Sequence, residues 1–358
     1  MVTRTTPMTS EREPLLSVTD LHVTFHGDEA TVHAVRGVTW DIRPGEVLGI
    51  VGESGSGKSV SVSSILGLLP SPPAVVTGGP VMFGGRDLLT MPERELRAIR
   101  GNEIAMIFQD PMTAFNPVQT IGRQISEAIR VHDHSVSRSA ARSRSIELLE
   151  LVGVPSPADR YSQFPHEYSG GMRQRAMIAM AIANQPRLLI ADEPTTALDV
   201  TIQAQILELL EVVREETDAA TILITHDLGV IAEVADRVLV MYAGKIVEST
   251  GILPLFQSPR HPYTLGLLGS LPRLDDRLET LLSIPGQPPD MAYIPRGCAF
   301  APRCSLSHGR VECRQREPDL MDCGDLGQRA ACHFSDEMDQ EADKVAAQVG
   351  RDVRVAKE

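Results

Sequence analysis

The sequence predicts an α/β fold with a parallel central sheet, and three stretches carry that prediction. Val47–Val51 is a short apolar run typical of a strand, followed by a glycine-rich loop and a helical stretch that begins at Lys58. Residues 188–191 and 221–225 are continuous apolar runs of the kind found in buried parallel strands. Strands that alternate with helices around a glycine-rich loop indicate a doubly wound core.

The remaining elements divide the chain into regions. Residues 16–25 alternate apolar and polar side chains, and residues 34–42 follow as a hairpin partner, which predicts an antiparallel β subdomain. Helical character over residues 111–185 predicts a helical subdomain inserted into the core. The predicted regions are a flexible tail over 1–13, a nucleotide-binding domain over 14–250, a separate loop-rich and cysteine-containing domain over 251–334, and a charged tail over 335–358 that is a solvated helix or disordered.

The glycine-rich loop has the spacing of a phosphate-binding loop. Residues 52–59 read Gly-Glu-Ser-Gly-Ser-Gly-Lys-Ser, which fits the pattern Gly-x4-Gly-Lys-Ser between a strand and a helix. Glycines let successive backbone N–H groups approach phosphate oxygens, and the start of the helix adds its dipole. Lys58 is predicted to reach the β- and γ-phosphates, and the Ser59 hydroxyl to bind Mg²⁺.

Composition restricts the possible partners. The chain has 358 residues, 42% of them hydrophobic, and a formal net charge of −13, which argues against nucleic acid as the main partner. Its first residues are polar and no apolar run approaches the length of a membrane span, so we expect a cytosolic chain that reaches a membrane only through a partner.

Polar residues after the apolar runs predict the chemistry. Asp192 and Glu193 end the run at 188–191, where Asp192 is placed to hold Mg²⁺ and Glu193 to polarise an attacking water. Ser169-Gly170-Gly171 precedes a helix and is a second candidate anion site, although alone it is more simply an ordinary helix cap. His226 alone is most simply a surface histidine, and Phe25 alone is most simply a strand packing residue.

Together these motifs resemble the ATP-binding subunits of ABC transporters, in the order that family has. The resemblance covers about residues 16–251 and implies a P-loop NTPase core with a RecA-like parallel sheet. It assigns catalytic roles to Glu193, His226 and Gln109, the last at the Q-loop position, and Mg²⁺ binding to Ser59, Gln109 and Asp192. It assigns nucleotide binding to Phe25, Gly52, Ser54, Gly55, Ser56, Gly57, Lys58, Ser59, Val60, Ser169, Gly170, Gly171 and Asp199.

The family resemblance also implies partners. ATP is expected to lie between the phosphate loop of one subunit and the Ser-Gly-Gly segment of a second one. Gln109 and the helical subdomain are expected to couple hydrolysis to membrane subunits. Tyr168 and Met172 stand where the family usually has Leu and Gln, but the Ser-Gly-Gly core is intact, so an active site is still expected.

A narrower resemblance concerns the end of the chain. Residues 261–264 (His-Pro-Tyr-Thr) and 297–304 (Gly-Cys-Ala-Phe-Ala-Pro-Arg-Cys) are similar to the extension of oligopeptide/dipeptide importers, whose substrates include peptides and, in some members, nickel. This implies a homologous second nucleotide-binding subunit and so a heterodimer, two permease subunits, an extracytoplasmic solute-binding protein, and a position at the cytoplasmic face of the membrane.

Five cysteines are confined to residues 298–332. Disulfides are disfavoured in a reducing compartment, and no closely spaced zinc knuckle is present. Members of this branch can carry an iron–sulfur cluster, so the prediction is a [4Fe–4S] cluster on Cys298, Cys304, Cys313 and Cys332, with Zn²⁺ as the alternative. Cys323 lies outside the expected spacing and is a possible replacement for Cys313 or Cys332; free thiols are the remaining alternative.

Two other classes compete with the transporter. A soluble ABC ATPase acting on DNA or ribosomes is disfavoured by the acidic charge, by the single ATPase module and by the lack of a long coiled-coil insertion. A metabolic P-loop kinase leaves Ser169-Gly170-Gly171 unexplained.

Overall fold

A computed structural model describes residues 13–195, 200–271, 283–324, 327–349 and 354, and it confirms the predicted α/β class. The strands are β1 (Leu16–His26), β2 (Thr31–Ile42), β3 (Val47–Val51), β4 (Ala74–Thr77), β5 (Val81–Phe83), β6 (Arg86–Asp87), β7 (Ile104–Ile107), β8 (Leu188–Asp192), β9 (Ala220–Thr225), β10 (Arg237–Tyr242), β11 (Lys245–Gly251), β12 (Met321–Cys323) and β13 (Gln328–Ala330).

The helices alternate with these strands. They are α1 (Lys58–Ile65), α2 (Glu93–Ile99), α3 (Pro111–Ala114), α4 (Ile121–His132), α5 (Arg138–Leu151), α6 (Pro157–Arg160), α7 (Gly170–Ala181), α8 (Val200–Thr217), α9 (Leu228–Val234), α10 (Ile252–Gln257), α11 (Pro262–Gly269), α12 (Val311–Gln315) and α13 (Met338–Val349). Short 3₁₀ turns lie at Pro165–Glu167, Ala301–Arg303 and Ser335–Glu337.

The main sheet has the strand order β12-β13-β11-β10-β3-β9-β8-β7. Strands β10, β3, β9, β8 and β7 pair in parallel, whereas β11, β13 and β12 pair antiparallel at the other side. A second, antiparallel sheet has the order β2-β1-β5-β6, with β4 paired to β1. The predicted hairpin of β1 and β2 is present, and β10 and β11 form a second antiparallel pair.

Alternating side chains on the parallel strands build two cores. In β3, Leu48 and Ile50 pack with the antiparallel sheet, whereas Val47 and Val51 pack with the helices on the opposite face. The same alternation divides the residues of β8 and β9. Because both faces of these strands are buried, they carry the continuous apolar runs that the sequence displays.

The part of the chain after residue 251 shares the sheet and the core of the part before it. Strand β13 extends the main sheet by pairing with β11, and Tyr263 and Phe300 belong to the same apolar core as the helices over the parallel strands. The structure therefore differs from the prediction of a separate C-terminal domain. Apolar residues in a proline-rich stretch lack periodicity, so their burial left no pattern in the sequence.

The charged segment at the end of the chain also packs. Helix α13 places Met338 and Ala342 one turn apart, and both are buried against Leu265 and Leu306. This differs from the prediction of a solvated helix or disordered tail. The apolar stripe is short, consisting of Met338, Ala342 and the partly buried Val345 among charged neighbours, which is why composition alone hid it.

A buried carboxyl joins β11 to the turn before α11. Glu248 is fully buried, and its two oxygens accept hydrogen bonds from the backbone N–H groups of Arg260 (2.8 Å) and His261 (3.0 Å). Burial raises the pKa of Glu248 to about 7. Glu248 thereby fixes the start of α11, the helix that carries Tyr263.

We predict that Glu248→Gln lowers the free energy of unfolding by about 1–3 kcal/mol at pH 5, because the new NH₂ group faces a backbone donor. The raised pKa means that the folded chain holds this proton more tightly than the unfolded chain. Glu248 therefore makes the folded chain less stable as the pH rises from about 4.5 through about 7. The glutamine variant lacks this loss, so the difference in free energy of unfolding between the two proteins should narrow by pH 8. Denaturant titrations that give the same difference at pH 5 and pH 8 would contradict the raised pKa of Glu248.

Candidate functional site

The phosphate loop lies at the carboxyl end of β3, in the middle of the parallel strands. Gly57 precedes α1 with a φ of 101°, and a Cβ there would lie 2.4 Å from the carbonyl oxygen of Ala34. No other residue type fits this position without displacing the backbone. The loop borders a cavity of about 570 Å³.

Parallel pairing brings the predicted chemical groups to the same edge. Strands β3, β9, β8 and β7 are successive neighbours, so the residues that follow their carboxyl ends meet there. Among the described residues, the cavity is lined by Glu53, Ser54, Gly55, Gly57, Lys58, Ser59, Val60, Gln109, Glu193 and His226.

Lys58 and Ser59 are fixed by contacts within the loop and with β8. Lys58 is 5% exposed, and its ammonium donates to the carbonyl oxygens of Gly52 (2.8 Å) and Glu53 (3.0 Å). Burial lowers the pKa of Lys58, partly offset by the negative charges of Glu193, Asp192 and Glu53. Ser59 Oγ donates to Asp192 Oδ1 at 2.7 Å, and burial raises the pKa of Asp192.

Glu193 is held from several directions. Its φ of 46° is in the left-handed region, where a residue with a side chain is strained, and its N–H donates to the carbonyl of Ile224 at 2.9 Å. Gln109 Nε2 donates to Glu193 Oε2 at 3.1 Å, and His226 Nδ1 lies 3.8 Å from the same oxygen. Strain of this kind is concentrated at functional sites, because the surrounding structure must hold it.

The Ser-Gly-Gly segment lies elsewhere in the described chain. Ser169 caps α7 by accepting from the backbone N–H of Met172 at 3.3 Å, and Ser169 and Gly170 are exposed. None of the described residues that line the cavity belongs to this segment. Tyr168, the departure noted in the sequence, is 2% exposed and donates from its hydroxyl to the Arg160 carbonyl at 2.9 Å, so it serves as a packing residue of the helical subdomain.

Besides the Ser-Gly-Gly segment, three predicted nucleotide contacts, Phe25, Gly52 and Ser56, are not among the described residues that line the cavity. Phe25 is half-buried in β1 against the core of the antiparallel sheet, and it is not among the described residues lining the cavity. Ser56 is buried, and its hydroxyl has no hydrogen-bond partner among the described residues. Asp199 lies outside the described residues.

Sequence reasoning missed the partners of Glu53. Arg303 forms a two-pronged ion pair with the Glu53 carboxylate, from Nη1 to Oε2 at 2.7 Å and from Nη2 to Oε1 at 2.9 Å. The backbone N–H of Glu53 donates to the Tyr263 hydroxyl at 2.7 Å. The available signal was an acidic residue inside an anion-binding loop, which calls for a compensating positive charge.

The cysteines form two groups by their electrostatic surroundings. Burial, together with charge on Cys298 and Cys313, raises the pKa of Cys304 and Cys332 to about 12. Cys323 interacts instead with Glu248, Arg260 and Asp336. Within the described parts of the chain, no three or more His, Cys, Asp or Glu side chains are arranged to hold a metal ion, so the iron–sulfur cluster stays a prediction.

The fold and the loop define a P-loop nucleotide-binding protein of the ATP-binding-cassette class. The ABC transporter family matches residues 35–196, and the C-terminal region of the oligopeptide/dipeptide transporter family matches residues 247–313. The structure is similar to the dimeric bacterial ABC transporter cassette MJ0796, with a TM-score of 0.60 and 27% identity over 66% of this chain and 98% of that one.

Curated relatives are similar over most of the chain. The dipeptide transport ATP-binding protein DppD of Bacillus subtilis is 56% identical over 82% of this chain and 87% of its own length. The oligopeptide transport ATP-binding protein OppD of the same organism is 53% identical over 85% of each chain. OppD of Mycobacterium bovis is 54% identical over 89% of this chain, which spans 52% of that relative's length. The chain belongs to the ABC transporter ATP-binding family, in its oligopeptide/dipeptide branch.

One further observation concerns membranes. Among the described residues, no helix combines the length and the apolar character needed to cross a bilayer.

Proposed function

We propose that this chain is the ATP-binding and ATP-hydrolysing subunit of an importer of di- or oligopeptides. The observation that carries the proposal is the meeting of the Lys58 ammonium, the Ser59–Asp192 pair and the Gln109–Glu193 pair around one cavity. The chain also has a C-terminal region of the oligopeptide/dipeptide type, and its relatives are peptide transport proteins. These features favour peptide transport as the process that ATP hydrolysis drives.

Mg²⁺ fits the oxygen-rich part of the cavity. Ser59 Oγ and Asp192 Oδ1 are 2.7 Å apart, and Gln109 lines the same cavity. Hydroxyl, carboxylate and amide oxygens are the donors that Mg²⁺ prefers, with phosphate oxygens completing the shell. We assign these three residues to Mg²⁺, which would neutralise charge on the terminal phosphates, and Lys58 to the β- and γ-phosphates.

Glu193 is the residue we assign to activating the attacking water. A general base must be fixed within reach of the proton that it accepts, and Gln109 and the strained backbone fix this carboxylate. His226 is 63% exposed beside it and is assigned to the γ-phosphate. Both are catalytic residues in this proposal, together with Gln109.

The remaining nucleotide contacts are assigned to a second subunit. Ser169, Gly170 and Gly171 begin α7 without lining the cavity, so their open helix start is suited to ATP held by another chain. A homologous partner, giving a heterodimer, and two permease subunits at the cytoplasmic face of the membrane complete the proposed assembly. A solute-binding protein on the other side would deliver the peptide.

A nickel importer is the nearest alternative, and ABC ATPases acting on DNA or ribosomes are a more distant one. The relatives named above are peptide transport proteins, which favours the peptide. The net charge of −13 disfavours a nucleic-acid partner.

We predict that Glu193→Gln abolishes both ATP turnover and uptake of a labelled oligopeptide by cells, while it stabilises the ATP-bound dimer in sedimentation experiments. The amide keeps the size of the side chain but cannot accept the proton. Undiminished hydrolysis would remove Glu193 from its role. The peptide assignment would be overturned if the chain hydrolysed ATP normally but cells took up the peptide equally well without its gene. It would also be overturned if the gene supported uptake of nickel and not of the peptide.

We also propose that Cys298, Cys304, Cys313 and Cys332 hold a [4Fe–4S] cluster, with Zn²⁺ as the alternative. The support is chemical: the four thiols interact electrostatically with one another, and Cys323 does not belong to their group. They form no disulfide with one another. Thiolates that interact in this way repel each other, and bound cations would relieve that repulsion.

Purification without air is expected to give a brown protein with acid-labile sulfide and about four irons per chain. Serine replacement of Cys298, Cys304, Cys313 or Cys332 should remove the colour, whereas Cys323→Ser, the matched control, should retain it. A colourless preparation that contains zinc would reject the cluster.

A further inference from the structure

Glu53 connects the phosphate loop to the C-terminal region. Its carboxylate is paired with Arg303, and its N–H donates to Tyr263. Its carbonyl oxygen accepts from Lys58 Nζ at 3.0 Å and from the Ser56 N–H at 3.2 Å. Every polar group of Glu53 is therefore bonded, and two of the four partners come from beyond residue 251.

The C-terminal partners of Glu53 are rigid. Arg303 is 7% exposed, and its Nε donates to the Pro285 carbonyl at 2.9 Å while Nη1 approaches the Tyr242 hydroxyl at 3.3 Å. Tyr263 is fully buried, with its ring 4.7 Å from that of Tyr242 and 5.5 Å from that of Phe300. Because the guanidinium and the hydroxyl are both fixed by packing, they hold Glu53 in one orientation.

The charge on Glu53 matters to the cavity. Glu53 lines the cavity, and its negative charge acts on the Lys58 ammonium. An unpaired carboxylate there would repel the phosphates of a nucleotide and compete with them for Lys58. The two-pronged pair with Arg303 neutralises that charge and turns both oxygens toward the C-terminal region.

We propose that Arg303 and Tyr263 are positioning residues for the phosphate loop: they hold and neutralise Glu53, so that the loop and Lys58 accept the phosphates of ATP. By this means the C-terminal region sets the nucleotide affinity of a site whose described lining residues all lie before residue 251. The inference rests on the proposed binding of ATP at this loop, and it does not depend on the transported solute or on the iron–sulfur cluster.

The test measures the dissociation constant of MgATP for the full-length chain by calorimetry. Arg303→Ala should weaken binding on the order of tenfold, because it leaves the Glu53 charge beside the phosphates. Arg303→Gln, which keeps a polar side chain but removes the positive charge, should weaken binding similarly, and it replaces the alanine variant if that variant does not fold. The double variant Glu53→Gln/Arg303→Ala should bind as tightly as Glu53→Gln alone, since no unpaired charge remains.

Arg310→Ala is the matched control. Arg310 also forms a two-pronged pair in the C-terminal region, with Glu337 at 2.9 Å for both contacts, but it does not line the cavity among the described residues. It should leave MgATP binding within about twofold. The inference would be overturned if Arg303→Ala and Arg303→Gln both bound MgATP as tightly as the unmodified chain does.

Two other outcomes separate the possible failures. A double variant that binds as weakly as Arg303→Ala would also overturn the inference, because the loss would then be structural and not due to the charge of Glu53. If the unmodified chain itself fails to bind MgATP, the proposed ATP site is wrong. This failure is distinguishable from a failure of the inference, because it is measured on the unmodified chain and not on the Arg303 variants.

Discussion

The parallel pairing of β3, β9, β8 and β7 is the constraint on which the rest of the site depends. Neighbouring parallel strands end at one edge of the sheet, so residues far apart in the chain become neighbours in space. Ser59 and Asp192 are 133 positions apart and meet at 2.7 Å, and Gln109 and Glu193 are 84 positions apart and meet at 3.1 Å. Without this pairing, none of the motifs would form a site.

Much of this could be predicted from the sequence because it is encoded locally. The apolar runs of β3, β8 and β9 follow from burial on both faces, and the glycines of the phosphate loop follow from its backbone geometry. The carboxyl ends of such strands then predict where Asp192, Glu193 and His226 lie. The local sequence pattern and the strand topology together were sufficient to predict the residues at the centre of the site.

The docking of the C-terminal region could not be predicted in this way. The contact between Arg303 and Glu53 spans 250 positions and leaves no periodic signal on either side. The same holds for β13, whose three residues extend the main sheet. Such contacts depend on tertiary packing among proline-rich segments, where neither helical nor strand periodicity applies.

This docking gives the C-terminal region a physical route to the nucleotide site. Arg303 is followed directly by Cys304, and Phe300 between Cys298 and Cys304 packs on Tyr263, whose hydroxyl contacts the loop. Residues 298–304, which include Cys298 and Cys304, are thus linked to Glu53 through the buried side chains of Arg303 and Tyr263.

The central claim of the proposed mechanism is that ATP bound by one chain is completed by the Ser-Gly-Gly segment of another. Gly170→Asp tests it directly, because a Cβ at Gly170 meets no atom within 4 Å and an acid in the first turn favours the helix. We predict that the hydrolysis rate per chain, measured alone and with the partner subunit, rises with subunit concentration, and that Gly170→Asp abolishes hydrolysis. A rate per chain that is independent of concentration and unaffected by Gly170→Asp would contradict the account.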